Sequence, residues 1–370
     1  VVTRLAILGA TGSIGRQALD VVAAHPDLLR VTAIASARNA RALDQIARET
    51  GASLTAVQSR DGDESLVDLA TSEDVDLVLV ATPGIAGLAP TIAALDAGKR
   101  VALANKEVLV VGGHLIAPLV GGAGELLRPV DSEHCGLWQC LAGERRTDVQ
   151  RVFLTASGGP FRERPIADLA KVTADEALRH PTWKMGPKVT IDSATLANKG
   201  YEVVETRWLY DLPYDQIEIV LHPESVVHAL VELADGSVKA QLAEPDMRLP
   251  IQYALLWEHL PSPARRLDWS VARTLRFAGA PDLERYPALA AVLDAARSGD
   301  AGAMIGLSAA DEVAVERFLR GEIGWGDIAP LLRRGASLGA AARSRAPNLR
   351  EILQIDRSVR EALAAQPVLG

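Results

Sequence analysis

The chain has 370 residues, 48% of them hydrophobic and 23% charged, with a formal net charge of -8 and a pI near 5.5. That length exceeds one ordinary core and points to roughly two or three domains of globular composition. The acidity argues against a nucleic-acid binder, which would want a basic face, and leaves any anionic ligand to local positive groups. Cys135 and Cys140 are the only cysteines. Neither a disulfide framework nor a thiolate metal site is indicated, and a reducing compartment fits.

In chain order, short apolar runs alternate with amphipathic segments: RLAILG, IGRQALDVVAAH, RVTAIAS, NARALDQIARETG, LTAVQS, VDLVLVAT, PTIAALDAG and RVALAN. Strand and helix signals in strict alternation predict βαβ units and a parallel sheet up to about residue 130. The uncharged stretch from Leu77 to Leu95 is interrupted by Pro83, Gly84, Gly87 and Pro90. It reads as a buried strand, a turn and a helix opening near Pro90. A second uncharged stretch, Val108 to Gly124, is broken by Gly112, Gly113, His114 and Pro118, so no transmembrane span is expected. No basic n-region or transit-peptide composition precedes the first strand, which points to the cytoplasm; the missing initiator Met leaves trimming of the N-terminus open.

From about 131 to 262 the pattern changes to strand-like runs, RVFLTAS, QIEIVL and SVVHALVELADGSVKAQL, among polar Gly-containing loops. Asp235-Gly236 between two alternating runs predicts a hairpin. Residues 263–287 carry Pro263, Pro281 and Pro287 with little periodicity and read as a surface linker. Four helices are expected beyond it, near 288–298, 301–320, 326–342 and 348–365. Leu349, Ile352, Leu353, Val359 and Leu363 give the last of them a buried stripe.

Several segments carry chemistry. Gly9-Ala10-Thr11-Gly12-Ser13-Ile14-Gly15 follows a strand and opens a helix. Its GxxGxxG spacing is a variant of the dinucleotide fingerprint, in which backbone approaches a pyrophosphate at the helix N-terminus. The bland alternative is a tight strand–helix turn. After the second strand an NAD site would place an acid on the ribose 2′-OH; here stand Ser36-Ala37-Arg38-Asn39. Arg38 can fork onto a 2′-phosphate, which favours NADPH over NADH. Asp131-Ser132-Glu133-His134 offers carboxylates two apart. In an extended segment these would face one side and could share a hard cation such as Mg²⁺ or Mn²⁺. Such pairs are also common on surfaces, and His134 can be a ligand or a packing residue. Ser193, Asn198 and Lys199, close to Glu202, supply the mixed donors a small phosphate needs, or simply belong to a capped helix. Ser157 stands on a Gly-rich turn. His180, Trp183 and Met185 lie between Pro and Gly residues, in either a mobile lid or a loop pinned by Trp183.

Together the stretches GATGSIG, ATPGIAGLAPT, ALANKE, PVDSEH, ASGGPFRE, RHPTWKMG, IDSATLANKGYEVVE, HPESVVHALVE and AEPDMR resemble the 1-deoxy-D-xylulose-5-phosphate reductoisomerase family. LSAADEVAV is a weaker echo. The resemblance implies an α/β protein in four parts: an NADPH-binding Rossmann-like sheet (1–130), an α+β catalytic and dimerisation domain (131–262) with a flap near 180–187, a linker (263–287) and a helical bundle (288–370). It further implies a bacterial, cytoplasmic homodimer that acts on a small phosphorylated sugar without nucleic acid or membrane. Thr11, Gly12, Ser13, Ile14, Ala37, Arg38, Asn39, Asn105, Glu107 and Gly186 would line NADPH. Asp131, Glu133 and Glu202 would hold Mg²⁺ or Mn²⁺. Lys106, Ser132, Glu133, Ser157, His180, Trp183, Ser193, Asn198, Lys199 and Glu202 would meet the substrate, with Lys106, Asp131, Glu133, His180 and Glu202 in the catalytic set. The implied reaction is rearrangement of 1-deoxy-D-xylulose 5-phosphate, by a retro-aldol or an α-ketol route, then reduction by NADPH to 2-C-methyl-D-erythritol 4-phosphate for isoprenoid synthesis. Ala37 stands where the family often has Gly, Thr82-Pro83 replaces a more aliphatic pair, and Asp311 a usual Asn.

Three rivals fit less well. A semialdehyde dehydrogenase needs a nucleophilic Cys, and nothing around Cys135 activates it. A short-chain epimerase needs Tyr-x-x-x-Lys, which is absent. An NADP-sensing regulator has no use for three carboxylates beside a phosphate cradle.

Overall fold

The structure is a computed structural model that describes residues 2–183, 185–342, 344 and 346–364. The amino-terminal part alternates as expected: β1 (Thr3–Leu8), α1 (Ser13–Ala24), β2 (Leu29–Ser36), α2 (Ala40–Thr50), β3 (Leu54–Val57), the short α3 (Gln58–Asp61), α4 (Glu64–Thr71), β4 (Leu77–Val80), α5 (Leu88–Asp96), β5 (Arg100–Leu103), α6 (Glu107–Val120) and β6 (Leu127–Pro129). All the strand pairs are parallel, in the order β3-β2-β1-β4-β5-β6. Every residue of β4 is buried, as an uncharged run covered on both faces should be. The chain reverses its direction of travel across the sheet between β1 and β4. The crevice at the carboxyl ends of those two strands is where open α/β sheets place ligands.

One long helix was not legible. The residues read as breaking the stretch after Val108 all lie inside α6, with Pro118 in its interior. The glycines serve contact, not flexibility. A Cβ on Gly112 would meet the Leu88 side chain at 2.3 Å, and one on Gly113 the Trp208 ring at 2.3 Å. Two neighbouring side chains can therefore pack directly onto the helix backbone.

The middle of the chain comprises α7 (Ser132–Leu141), β7 (Val149–Ala156), the short α8 (Ala174–Ala177), α9 (Pro187–Thr195), α10 (Ala197–Tyr210), β8 (Ile217–Leu221), β9 (Val227–Leu233), β10 (Val238–Leu242) and α11 (Arg248–Leu256). A second sheet has the order β10-β9-β7-β8. β7 pairs with β8 in parallel and with β9 antiparallel, and the turn at Asp235-Gly236 joins β9 to β10 as expected. Helix α11 was not anticipated. Its Ile251, Ala254 and Leu255 share a core with Leu5, Leu77 and Val130 of the first sheet, so the chain returns to the amino-terminal part after the hairpin.

Residues 257–286 form no helix or strand, and then come α12 (Pro287–Arg297), α13 (Ala301–Leu319), α14 (Ile328–Ala340) and α15 (Leu349–Ala364). Pro287 opens α12, where its missing N–H costs nothing. On α15 the buried stripe is Ile352, Ile355, Asp356, Val359 and Leu363. Leu353 instead faces outward, 38% exposed, because the 3.6-residue period carries it off the stripe. Among the described residues no helix is long and apolar enough to cross a membrane.

Candidate active site

A cavity of about 590 Å³ lies between the first sheet, the second sheet and the α9–α10 pair, within the usual range for a small-ligand site. It brings together Ser13, Ile14, Lys106, Asp131, Ser132, Glu133, Ser157, His180, Trp183, Met185, Gly186, Ser193, Asn198, Lys199 and Glu202. Two strained residues also line it: Leu196, at φ 58°, breaks α9 from α10, and Ser225 sits at φ 52°. Backbone held in the left-handed region by a non-glycine residue is typical of functional sites.

Carboxylate oxygens of Asp131, Glu133 and Glu202 all lie within 4.8 Å of one another. The expected convergence is present, but its cause is different. Asp131 is the N-cap of α7, its Oδ1 accepting from the Ser132 N–H at 2.9 Å, and Glu133 lies in the first helical turn. The segment is a helix start and not an extended strand, so the pair meets through cap geometry. Glu202 arrives from α10. Lys106 Nζ lies 2.5 Å from Asp131 and 3.1 Å from Glu202, while Lys199 Nζ lies 2.8 Å from Glu133 and also contacts Glu202. Burial pushes the Glu202 carboxyl up, and Glu133 adds to the push. For Asp131, burial opposes ionisation, but Lys106 and His134 hold its carboxyl well below the usual range.

His134 is fully buried. Its Nδ1 lies 3.4 Å from Glu205 and 3.7 Å from Asp131, and its Nε2 is 3.0 Å from both the Glu202 carbonyl and the Thr206 hydroxyl. Burial opposes its charge, yet Glu205 and Asp131 raise it to about 9. It sits behind the cavity, where its ring nitrogen and the carboxylates of Asp131 and Glu205 all lie within 4.8 Å of one another. Four carboxylates (Asp131, Glu133, Glu202 and Glu205) thus face three cations (Lys106, Lys199 and His134). Burial raises the Glu205 carboxyl to about 7, while the oxygens of Asp131, Glu133 and Glu202 converge at ligating distance. The set fits a hard divalent cation.

On the opposite wall His180 organises a hydroxyl pair. Its Nδ1 accepts from the backbone N–H groups of Thr182 and Trp183, at 3.2 and 2.9 Å. The ring proton therefore sits on Nε2, which reaches Ser157 Oγ at 3.2 Å and Ser193 Oγ at 3.1 Å. Burial depresses its pKa to about 4, so the ring is neutral. Ser157 Oγ also accepts from the Gly159 N–H at 3.2 Å, and Asn198 Nδ2 donates to Glu202 at 2.5 Å. The Trp183 ring lies 6.0 Å from the ring of His228.

The nucleotide residues divide into two groups. In the turn after β1, Gly9 has φ 100°, and a Cβ there would strike the Ala81 carbonyl at 2.4 Å. Gly12 is the N-cap of α1 and provides no side-chain cap, so the first amides of α1 remain available beside Thr11, Ser13 and Ile14. Ala37, Arg38 and Asn39 are exposed just past β2. Asn39 also caps α2, accepting from Ala42 at 3.1 Å. An uncapped helix N-terminus and an acid-free Arg-bearing strand end fit a dinucleotide with a 2′-phosphate. The side chains of Asn105 and Glu107, in contrast, do not line the cavity. Asn105 donates to the carbonyls of Thr82 and Gly84, at 2.5 and 2.7 Å, and accepts from Val108. Glu107 is held by Lys188 at 2.9 Å.

Sequence reasoning did not single out His228, Ser225, Thr182 or Met247, all of which line the cavity. His228 lies on β9 between the buried Val227 and Ala229, and a histidine within an apolar strand run has the look of a core residue. Met247 immediately precedes α11, and its signal was hidden with the helix.

Family models described as 1-deoxy-D-xylulose 5-phosphate reductoisomerase match residues 5–64 and 52–113. Models of the C-terminal domains of the same enzyme match 127–210 and 242–362. The chain is 48% identical over 343 residues to the 1-deoxy-D-xylulose 5-phosphate reductoisomerase of Thermomicrobium roseum, covering 89% of each chain. It is 43% identical to that of Exiguobacterium sibiricum, covering 98% of each. The chain belongs to the 1-deoxy-D-xylulose 5-phosphate reductoisomerase family. Among solved structures, the Zymomonas mobilis reductoisomerase in complex with NADPH superposes with a TM-score of 0.88 at 38% identity over 99% of both chains. A DOX-P reductoisomerase in complex with NADPH, fosmidomycin and magnesium superposes with a TM-score of 0.87 at 37% identity over 98% of both chains. The family matches at 127–210 take in α7, α9 and α10.

Proposed function

We propose that this chain converts 1-deoxy-D-xylulose 5-phosphate to 2-C-methyl-D-erythritol 4-phosphate with NADPH and a divalent metal, and that the cavity described above is where it does so. The observation that carries the reading is the convergence of Asp131, Glu133 and Glu202 on one face of a cavity whose other face presents Ser157, Ser193 and neutral His180. One face suits a cation and the other a small phosphate.

In this reading Asp131, Glu133 and Glu202 hold the metal. Ser157, Ser193, Asn198 and Lys199 bind the phosphate group, and Ser132 and His180 complete the substrate contacts. The bound metal supplies Lewis-acid polarisation of the substrate's oxygens, and bound NADPH supplies the hydride. Lys106, whose ammonium is held well charged by Asp131 and Glu202 against burial, keeps a positive charge beside the reacting oxygens through either rearrangement route. His180 remains neutral and donates from Nε2, so it orients hydroxyls and phosphate oxygens without moving a proton. Trp183 and Met185 cover the cavity and exclude water. Thr11, Gly12, Ser13, Ile14, Arg38 and Gly186 bind the nucleotide with side chain or backbone. Ala37 and Asn39 flank Arg38, and Asn105 and Glu107 would support NADPH binding indirectly, by fixing the loop after β4 and the start of α6.

The division into a nucleotide part (1–130), a catalytic and dimerisation part (131–262), a linker (263–287) and a helical part (288–370) belongs to the same proposal. So do the homodimer, the bacterial cytoplasm and catalysis that involves neither nucleic acid nor membrane. The direct test is product identification: 2-C-methyl-D-erythritol 4-phosphate must accumulate from 1-deoxy-D-xylulose 5-phosphate when NADPH and Mg²⁺ are both supplied.

A further inference from the structure

A second group of charges lies outside the cavity, and of its members only Glu107 has a role above. Lys188, on the first turn of α9, places its Nζ 2.9 Å from Glu107, 2.6 Å from Asp192 and 2.8 Å from Asp311. The same ammonium lies 5.2 Å over the Tyr201 ring. Glu107, Asp192 and Asp311 are all buried. One cation therefore serves three carboxylates on three different helices. Glu107 opens α6 directly after Lys106, Asp192 is on α9 itself, and Asp311 is in the middle of α13.

The placement of α9 gives this cluster its significance. Its N-cap, Gly186, ends the loop that carries His180 and Trp183, and its last turn carries Ser193, one of the two hydroxyls on His180. Neither Lys188 nor Asp192 nor any residue of α13 lines the cavity. The helical part of the chain reaches α9 and α10 through apolar packing, such as Val292 against Gly200 and the core that Ile191 and Ala194 share with Val292 and Ile305, and through the Lys188–Asp311 pair, which is the charged tie to α9. An ammonium among three buried carboxylates resists displacement, because moving it strands their charge unpaired in the interior. Burial and Asp311 push the Asp192 carboxyl well up, which fits three acids competing for one partner.

We propose that Lys188 is a positioning residue and that its contact with Asp311 fixes α9, and with it Ser193 and the end of the His180–Gly186 loop, against the helical bundle. The proposal rests on the reading of Ser193 as part of the phosphate seat. The bundle then sets the affinity for the sugar phosphate without touching it.

The test is steady-state kinetics on the full-length enzyme with 1-deoxy-D-xylulose 5-phosphate, NADPH and Mg²⁺. Asp311→Leu cuts the tie while relieving excess negative charge, so the fold should tolerate it; Lys188→Met cuts it from the other side. Both should raise KM for the sugar phosphate about five- to fiftyfold, and Asp311→Leu, which leaves the Lys188–Glu107 pair in place, should keep kcat and KM for NADPH within about twofold of wild type. A merely structural residue would lower the active fraction, hence kcat and the melting temperature, and leave KM in place. An unchanged KM in Asp311→Leu overturns the proposal whatever happens to its melting temperature, and that variant decides the matter if Lys188→Met does not fold. Ser193→Ala separates the two levels. If it leaves KM unchanged, the phosphate seat itself is wrong; if it raises KM and Asp311→Leu does not, only the anchor fails.

Discussion

Replacing Glu202 by Gln removes one unit of negative charge from the carboxylate cluster with little change in shape. In the wild-type protein four carboxylates face Lys106, Lys199 and protonated His134, and burial already pushes Glu202 up, so the fold pays to keep it ionised. Gln leaves three acids against three cations. The metal-free variant should therefore melt within a few degrees of wild type, although Glu202 is almost fully buried. Metal binding should fare differently. Two unit charges about 4 Å apart interact by about 4 kcal/mol at an effective dielectric near 20. Part of that is offset by the lower desolvation cost of an amide, so a loss of about 2.7–4 kcal/mol, or roughly a hundred- to a thousandfold in metal affinity, is expected. The assay is thermal unfolding titrated with MgCl₂ or MnCl₂. Wild type at a hundred times its Kd gains about 2.7 kcal/mol, which reads as a shift of a few degrees, and Glu202→Gln at the same concentration should shift hardly at all. A variant that kept the full metal-induced shift would refute the assignment of Glu202 as a ligand.

The other predictions follow from the same geometry. Arg38→Ala should raise KM for NADPH roughly ten- to a hundredfold and leave NADH use nearly unchanged, since a charge-assisted contact is worth about 1.5–3 kcal/mol; equal loss with both cofactors would remove Arg38 from the 2′-phosphate. Trp183→Ala should leave the melting temperature within a few degrees and cut kcat/KM about ten- to a thousandfold, whereas a large melting shift with unchanged kinetics would make Trp183 a structural anchor. His180, with a folded pKa near 4, binds fewer protons than in the unfolded chain between about pH 4 and 6.5. Its stabilising contribution is complete above about 6.5 and is lost as pH falls toward 4. NMR titration of the ring should show no protonation at pH 6, and an inflection near 6.5 would contradict the neutral ring. His134 carries the opposite sign. Raised to about 9, it stabilises the fold fully below about 6.5 and loses that contribution as pH rises through 9, which melting curves of wild type against His134→Gln would reveal.

The amino-terminal sheet was legible because its strands are buried on both faces and its turns carry Gly and Asn, so periodicity and punctuation agreed. The four carboxyl-terminal helices were legible to within a residue or two for the same reason. Helix α6 was not, because Gly112, Gly113 and Pro118 read locally as breakers, while Leu88 and Trp208 pack into the notch the glycines leave. Helix α11 was short, with its apolar face turned to a sheet far away in sequence. The carboxylate trio was legible as residue types but not as geometry, since Asp131 and Glu133 meet at a helix cap. Nothing local could have placed Lys188 against Asp311, a contact across 123 positions.

The proposal that one cavity binds both a divalent cation and NADPH in order to transform a phosphorylated sugar can be tested directly. The most direct measurement is NADPH oxidation, followed at its absorbance band, on adding 1-deoxy-D-xylulose 5-phosphate to enzyme stripped of metal with EDTA, before and after Mg²⁺ is restored. The expected result is no oxidation in the stripped enzyme, recovery with Mg²⁺ or Mn²⁺, and one NADPH consumed per substrate. Full turnover in rigorously metal-free buffer, or none with metal and both substrates present, would contradict it.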